Sequence, residues 1–328
     1  MFADNLQPNL SSDTVEKVPT RNGYGEGLLK AGKRDERIVA LCCDLTESTK
    51  THLFAKAFPE RFIQMGIAEQ SMASVGSGMA AMGKVPFIAS YAMFSPGRSW
   101  EQIRTTIAYN NSNVKIVGAH AGISVGPDGA THQALEDIAI VRVIPNMVVI
   151  APADVHEARK ATLAAAKYEG PVYLRIGRSA TPVVTTPETP FEIGKAMRMY
   201  SRDESHEQKI GIVVTGSLLF NTLMAAEELQ RTGIGVSVLH MPTIKPLDGE
   251  ALEAFAAEHD ALVTVEEHQV IGGLGGAVAE HLSETVPTKI IRVGILDRFG
   301  ESGEPEQLIE HFGLDTKGIV SAAQKVIS

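Results

Sequence analysis

Residues 66–90 read GIAEQSMASVGSGMAAMGKVPFIAS. Over 66–82 the only charge is Glu69, and most other residues are Ala, Ser, Gly or Met, which predicts a helix that lets backbones approach closely and is buried on several sides. The run 85–90 that follows predicts a short strand. The same alternation continues on both sides. A helical pattern over 23–33 leads into a strand at 38–43 that ends at Asp44. Further strands are predicted at 114–119, 147–151 and 172–176, with helices over 100–110 and 155–168 between them. Strands alternating with helices imply an α/β fold with a parallel sheet covered on both faces.

The 328 residues are too many for one ordinary domain and suffice for two. Residues 179–190 hold three prolines and five Ser or Thr residues without apolar periodicity, which reads as an interdomain linker. Beyond it the pattern restarts, with strands at 210–215, 235–240, 261–266 and 290–294. Helices at 218–232, 249–259 and 277–283 separate them, and 305–312 begins the closing helices. The expected division is an N-terminal arm over 1–19, a first domain over 20–185 and a smaller α/β domain over 190–328, with the polar arm loose. No apolar run approaches the ~20 residues that cross a bilayer, and the start lacks the apolar core of a signal peptide, so the expectation is a soluble, cytoplasmic protein. A net charge of −9 with few aromatics argues against broad contact with DNA or RNA. Cys42 and Cys43, the only cysteines, sit in an apolar run and read as core residues of a strand in a reducing compartment. With no Cys-x-x-Cys and no His-Glu-x-x-His, no protein-built metal centre is expected.

Four stretches carry candidate chemistry. Glu69 is a lone carboxylate that must be paired, protonated or given work, or else is a first-turn charge favoured by the helix dipole. The segment 119–133 places His120, Asp128 and His132 in a glycine-rich loop after a predicted strand, where open α/β sheets gather ligands; the plain alternative is a solvated loop with an Asp-Gly turn. Arg175 and Arg178 close another strand and suit an anion, or simply meet solvent. The cluster Gly272-Gly273-Leu274-Gly275-Gly276 lacks dinucleotide and P-loop spacing, so a tight turn with close helix packing is expected there. Glu266-Glu267-His268 before it reads as a solvated charge run, with pairing across an interface as the alternative.

Taken together, Gly66-Ile67-Ala68-Glu69-Gln70 and Asp128-Gly129-Ala130-Thr131-His132-Gln133 resemble the pyrimidine-domain signature and substrate loop of transketolases and the related deoxyxylulose-phosphate synthases. The resemblance covers the C-terminal half of those enzymes, a pyrimidine-binding domain followed by the family's C-terminal domain. It implies that Glu69 hydrogen-bonds N1′ of the aminopyrimidine of thiamine diphosphate and so promotes proton loss from thiazolium C2. Phe94 and Tyr91 match aromatics that pack on that ring, and Asp44 matches a cofactor-side aspartate. His132 and Asp128 match groups that bind sugar hydroxyls and the reacting carbonyl. Arg21, Ser48, His120 and Arg178 match the transketolase positions that hold the sugar phosphate. Arg98 also fits the synthase pattern, and Gly97 stands where transketolases often have an aromatic, so stacking there falls to Trp100 or is weaker.

The same resemblance implies a missing half. The family grips the diphosphate through a metal marked by Gly-Asp-Gly and a later Asn, and no Gly-Asp-Gly occurs in this sequence. A separate N-terminal subunit would therefore supply the diphosphate domain and Mg²⁺, as in split transketolases, giving an α2β2 heterotetramer. The segment 66–82 would be a packing face for that contact. The implied reaction is transfer of a two-carbon ketol unit between sugar phosphates. A synthase or 2-oxoacid dehydrogenase β-type subunit, or a scaffold that kept the fold, is the alternative.

Overall fold

The strand Ile38–Cys42 is buried along its whole length, as a central strand of a sheet covered on both faces must be. In the computed structural model, which describes residues 1–8, 10–12, 14–203 and 205–327, it lies in a seven-stranded sheet. The order across that sheet is Thr243–Lys245, Val148–Ile150, Val172–Arg175, Lys115–Ala119, Val85–Tyr91, Ile38–Cys42 and Phe62–Gln64. All pairings are parallel except that of Thr243–Lys245, which crosses over from the second half of the chain to close the edge. The carboxyl ends of the parallel strands therefore share one rim, to which Asp44, Tyr91, His120 and Arg178 are delivered.

A second sheet of five strands has the order Ile290–Ile295, Ala261–Gln269, Lys209–Val214, Gly235–His240 and Met197–Tyr200. Only Met197–Tyr200 runs antiparallel. The predicted strands are all present. The short edge strands Phe62–Gln64, Thr243–Lys245 and Met197–Tyr200 were not legible, because three or four residues carry no measurable period. The expected helix over 100–110 is a single α-turn, Trp100–Gln102, running into a π-helical stretch, Ile103–Ala108.

Two helices of the first half, Thr20–Arg34 and Val155–Lys167, pack face to face because Gly23 and Gly27 remove the side chains between them. A Cβ on Gly23 would lie 2.1 Å from the Val155 carbonyl oxygen. Val155–Lys167 starts at Asp154, whose buried carboxylate accepts the His156 and Glu157 amides at 3.0 Å. Its other oxygen accepts the Val184 amide at 2.8 Å, while the Thr185 hydroxyl of the connecting segment donates to the same oxygen as the helix amides.

Three expectations are corrected. The arm is not loose: Leu6 and Leu10 are buried against the second sheet, Phe2 bridges to Tyr200, and Lys17–Pro19 pairs with Ala180–Pro182. Its scattered apolar residues have no local partners, so only the tertiary fold shows where they go; Asn9 and Asp13 of this arm lie outside the described residues. The helix expected over 66–82 spans Glu69–Ala81 and buries only Glu69, Met72, Ala73 and Gly76, because a sheet covers one face and the other is open. Glu266-Glu267-His268 is buried rather than solvated. Among the described residues no helix is long and apolar enough to cross a membrane.

Candidate active site at the carboxyl rim of the first sheet

Glu69 opens the helix Glu69–Ala81, where the exposed amides of the first turn favour an anion, and it is 1% exposed. The helix dipole is not its only partner. Ser90, near the end of the adjacent strand, donates its hydroxyl to Oε1 at 3.1 Å, and Arg98 Nη1 donates to Oε2 at 2.7 Å. Arg98 is half exposed and its guanidinium lies 4.8 Å from the centroid of the Phe94 ring. A buried carboxylate is thus charge-balanced by a side chain that can reach solvent, so its second oxygen can be released.

Next to it the rings of Tyr91, Phe94, His120 and His132 form one cluster. Tyr91 stacks on His120 with centroids 4.1 Å apart and on Phe94 at 6.3 Å. His132 meets Phe94 edge-on at 5.6 Å and Tyr91 at 6.4 Å. Thr131 and His132 Nδ1 are 2.9 Å apart. Trp100 takes no part: its indole N–H donates to the Ile140 carbonyl at 2.6 Å, and no ring contact of Trp100 occurs among the described residues. Gly97 leaves no room for an aromatic, since even a Cβ would lie 2.0 Å from the Met93 carbonyl oxygen. The departure at residue 97 is a property of this loop's tight turn, and Trp100 does not compensate for it.

A basic group borders the rings. Arg21 Nη1 donates to the Ser48 carbonyl at 2.9 Å and lies 3.1 Å from His120 Nε2. Burial, and then the neighbouring Arg21 charge, push the His120 ring down to about 3, so it is neutral and its Nε2 accepts. Burial, and then the charge of Arg178, lower Arg21 as well, while its Nε is buried without a partner. Two guanidiniums close enough to repel, one with an idle donor, form a site that an added anion would relieve. Arg178 Nη1 donates to Asp128 Oδ1 at 3.0 Å and to the Val125 carbonyl at 2.9 Å, tying it to the loop. Asp44 is exposed at the end of its strand, with a positive φ of 56° and its amide donating to Gln64 Oε1. The fold thus brings all ten candidate residues to one rim, although Ser48 is seen to contribute only its carbonyl.

An aminopyrimidine fits these residues: a buried carboxylate with one displaceable partner sits beside stacked aromatic faces. Among the described residues no group of three or more His, Cys, Asp or Glu side chains could hold a metal ion. Arg175 proves structural. It pairs with the buried Asp137 at 2.8 Å, and Tyr173 donates to the same carboxylate at 2.7 Å. Burial acts to raise Asp137, but Arg175 and its other partners outweigh this and hold it below the usual carboxylate range. The glycine cluster binds a carboxylate of its own chain, because Glu266 accepts the Leu274 and Gly275 amides at 2.7 and 2.8 Å. Ser90 and Gln133 were missed as site residues. Gln133 could have been found from its place in the loop hexapeptide, whereas Ser90 has no sequence signal.

The chain is similar to known proteins over nearly its whole length. The transketolase pyrimidine binding domain matches residues 16–184, and the transketolase C-terminal domain matches residues 200–319. A Methanocaldococcus jannaschii protein named for the transketolase C-terminal section is 46% identical, over 91% of this chain and 93% of its own length. The 6-deoxy-6-sulfo-D-fructose transketolase subunit of a Clostridium species is 40% identical over 95% of both chains. Among solved structures, a split gene transketolase described as an inactive beta4 tetramer superposes with a TM-score of 0.87 at 45% identity, covering 94% of this chain and 98% of that one. Human transketolase is 34% identical across 100% of this chain, which spans 52% of that protein.

Proposed function

The chain belongs to the transketolase family, and from that premise we propose that it is the C-terminal subunit of a two-chain, thiamine diphosphate-dependent transketolase. In this reading it moves a two-carbon ketol unit from a ketose phosphate to an aldose phosphate. An N-terminal subunit holds the diphosphate and Mg²⁺, the assembly is an α2β2 heterotetramer, and residues 20–185 and 190–328 are the two domains. When bound, the cofactor supplies a nucleophilic carbon and a sink for the electrons of the cleaved bond.

This chain's residues do the rest. Glu69 holds a proton at N1′ of the aminopyrimidine, using the oxygen that Arg98 engages in the free chain. Phe94 and Tyr91 pack against the ring, and Asp44 faces the cofactor. His132 and Asp128 bind sugar hydroxyls and the reacting carbonyl. Arg21, Ser48, His120 and Arg178 hold the phosphate through the idle Arg21 donor and the Arg21–Arg178 field. The observation that carries the reading is the burial of Glu69 beside the stacked rings on the rim that also bears the basic group.

The test is ketol transfer by the chain reconstituted with its N-terminal partner, thiamine diphosphate and Mg²⁺. Glu69→Gln should lower kcat by about 10²–10⁴-fold with unchanged subunit assembly, the range for loss of a general acid–base group. Wild-type turnover by the variant would support a scaffold role, and pyruvate consumption without ketol exchange would support a synthase or dehydrogenase.

A further inference from the structure

In the second sheet the chain runs from Lys209–Val214 to Gly235–His240 on one side, and then returns to Ala261–Gln269 on the other. The reversal opens a crevice at the carboxyl ends of Lys209–Val214 and Ala261–Gln269, the place where open α/β sheets ordinarily bind a ligand. Here part of the first domain lines that crevice. Glu267, 5% exposed near the end of its strand, accepts the Ser217 hydroxyl on Oε2 and the Ser124 amide on Oε1, both at 2.7 Å. Ser124 lies in the loop that carries Asp128 and His132. Gly122, at a φ of 91°, lets the carboxylate come this close, since a Cβ there would stand 2.3 Å from Oε1. Beyond it, Gln133 Nε2 donates to the loop carbonyls of Ile123 and Gly126 and, at 2.8 Å, to the Glu301 carbonyl of the second domain. Arg178 reaches the same loop through the Val125 carbonyl.

We propose that Glu267 is a positioning residue for substrate binding: the second domain uses its ligand crevice to hold the 122–133 loop, and thereby sets Asp128, His132 and Arg178. A charge-assisted bond to a backbone amide fixes the loop's path without touching substrate. The kinetic part of this proposal rests on the transketolase reading, and the loop-ordering part does not.

The test compares wild type, Glu267→Ala, Glu267→Gln and Ser217→Ala as full chains. In hydrogen–deuterium exchange, Glu267→Ala should speed exchange of the 122–133 segment about tenfold, the effect of losing one charge-assisted bond. The first sheet should keep its protection. Glu267→Gln retains an acceptor for Ser124 and a donor toward Ser217, so it should restore most of the protection, with Ser217→Ala in between. In the reconstituted complex, KM for the sugar phosphate donor should rise about tenfold in Glu267→Ala, with kcat within about twofold and unchanged cofactor affinity. Unaltered loop exchange in both Glu267→Ala and Ser217→Ala would overturn the proposal, as would a fall in kcat at constant KM. If Glu267→Ala does not fold, Ser217→Ala and Glu267→Gln decide by the same readouts. A wild-type complex without ketol transfer would overturn the proposed activity alone, and loop exchange would then decide this inference.

Discussion

His120 is an imidazole held neutral by its surroundings: it is buried, and its near neighbour is a guanidinium. The consequence for stability has a definite sign. An unfolded histidine titrates near ~6.5, whereas this one is pushed down to about 3, so between those values the unfolded chain binds the extra proton. Stability is therefore lost as pH falls through that window. Replacing His120 with Asn removes the titration, and urea unfolding between pH 6 and 4 should show a decline shallower than wild type by about 1 kcal/mol per pH unit. Parallel declines would refute the assignment. Glu69 illustrates the opposite solution at the same rim. Instead of a repelling neighbour it has two donors, Ser90 on one oxygen and Arg98 on the other. The motif around Glu69 was legible in sequence, but Arg98 as its partner was not, because 29 residues separate them and only the fold closes that distance.

At the scale of elements, one residue often terminates a helix and anchors its surroundings at once. Asp154 caps Val155–Lys167 and also accepts the Val184 amide and the Thr185 hydroxyl from the connection between the domains. The prolines and threonines of 179–190 read as an interdomain linker, and in the fold Thr185 and Thr189 of that segment are buried. Asp154→Ala removes a cap and orphans several buried donors, and should cost at least about 3 kcal/mol in urea unfolding. A loss below about 1 kcal/mol would mean that the segment finds other partners. The charge run Glu266-Glu267-His268 misled for a related reason. Composition prices such residues for water, whereas here helix amides and the 122–133 loop supply the hydrogen bonds that water would have given.

At the scale of the whole molecule, an apolar surface lies open beside Glu69. The open side of Glu69–Ala81 presents Val75, flanked by exposed Ile67 and Met82, and the stretch Ile103–Ala108 that packs beside it ends next to exposed Tyr109. An apolar face next to Glu69 is where an N-terminal subunit would dock in the proposed assembly. Val75→Lys should weaken that association about tenfold or more in titration of one subunit into the other, with the melting temperature of the free chain unchanged. Undiminished affinity would place the contact elsewhere. The sequence by itself determined the two α/β units, the central strands and the loop and helix motifs that meet at the candidate site, because periodicity and short-range spacing are local properties of a chain. Only the tertiary structure decided that the arm is tied down, that Arg98 covers Glu69 and that Trp100 turns away. It alone also showed the second domain gripping the 122–133 loop. Each of these depends on groups far apart in sequence meeting in space, and burial at such a meeting is set by the packed neighbours rather than by the residue's own polarity.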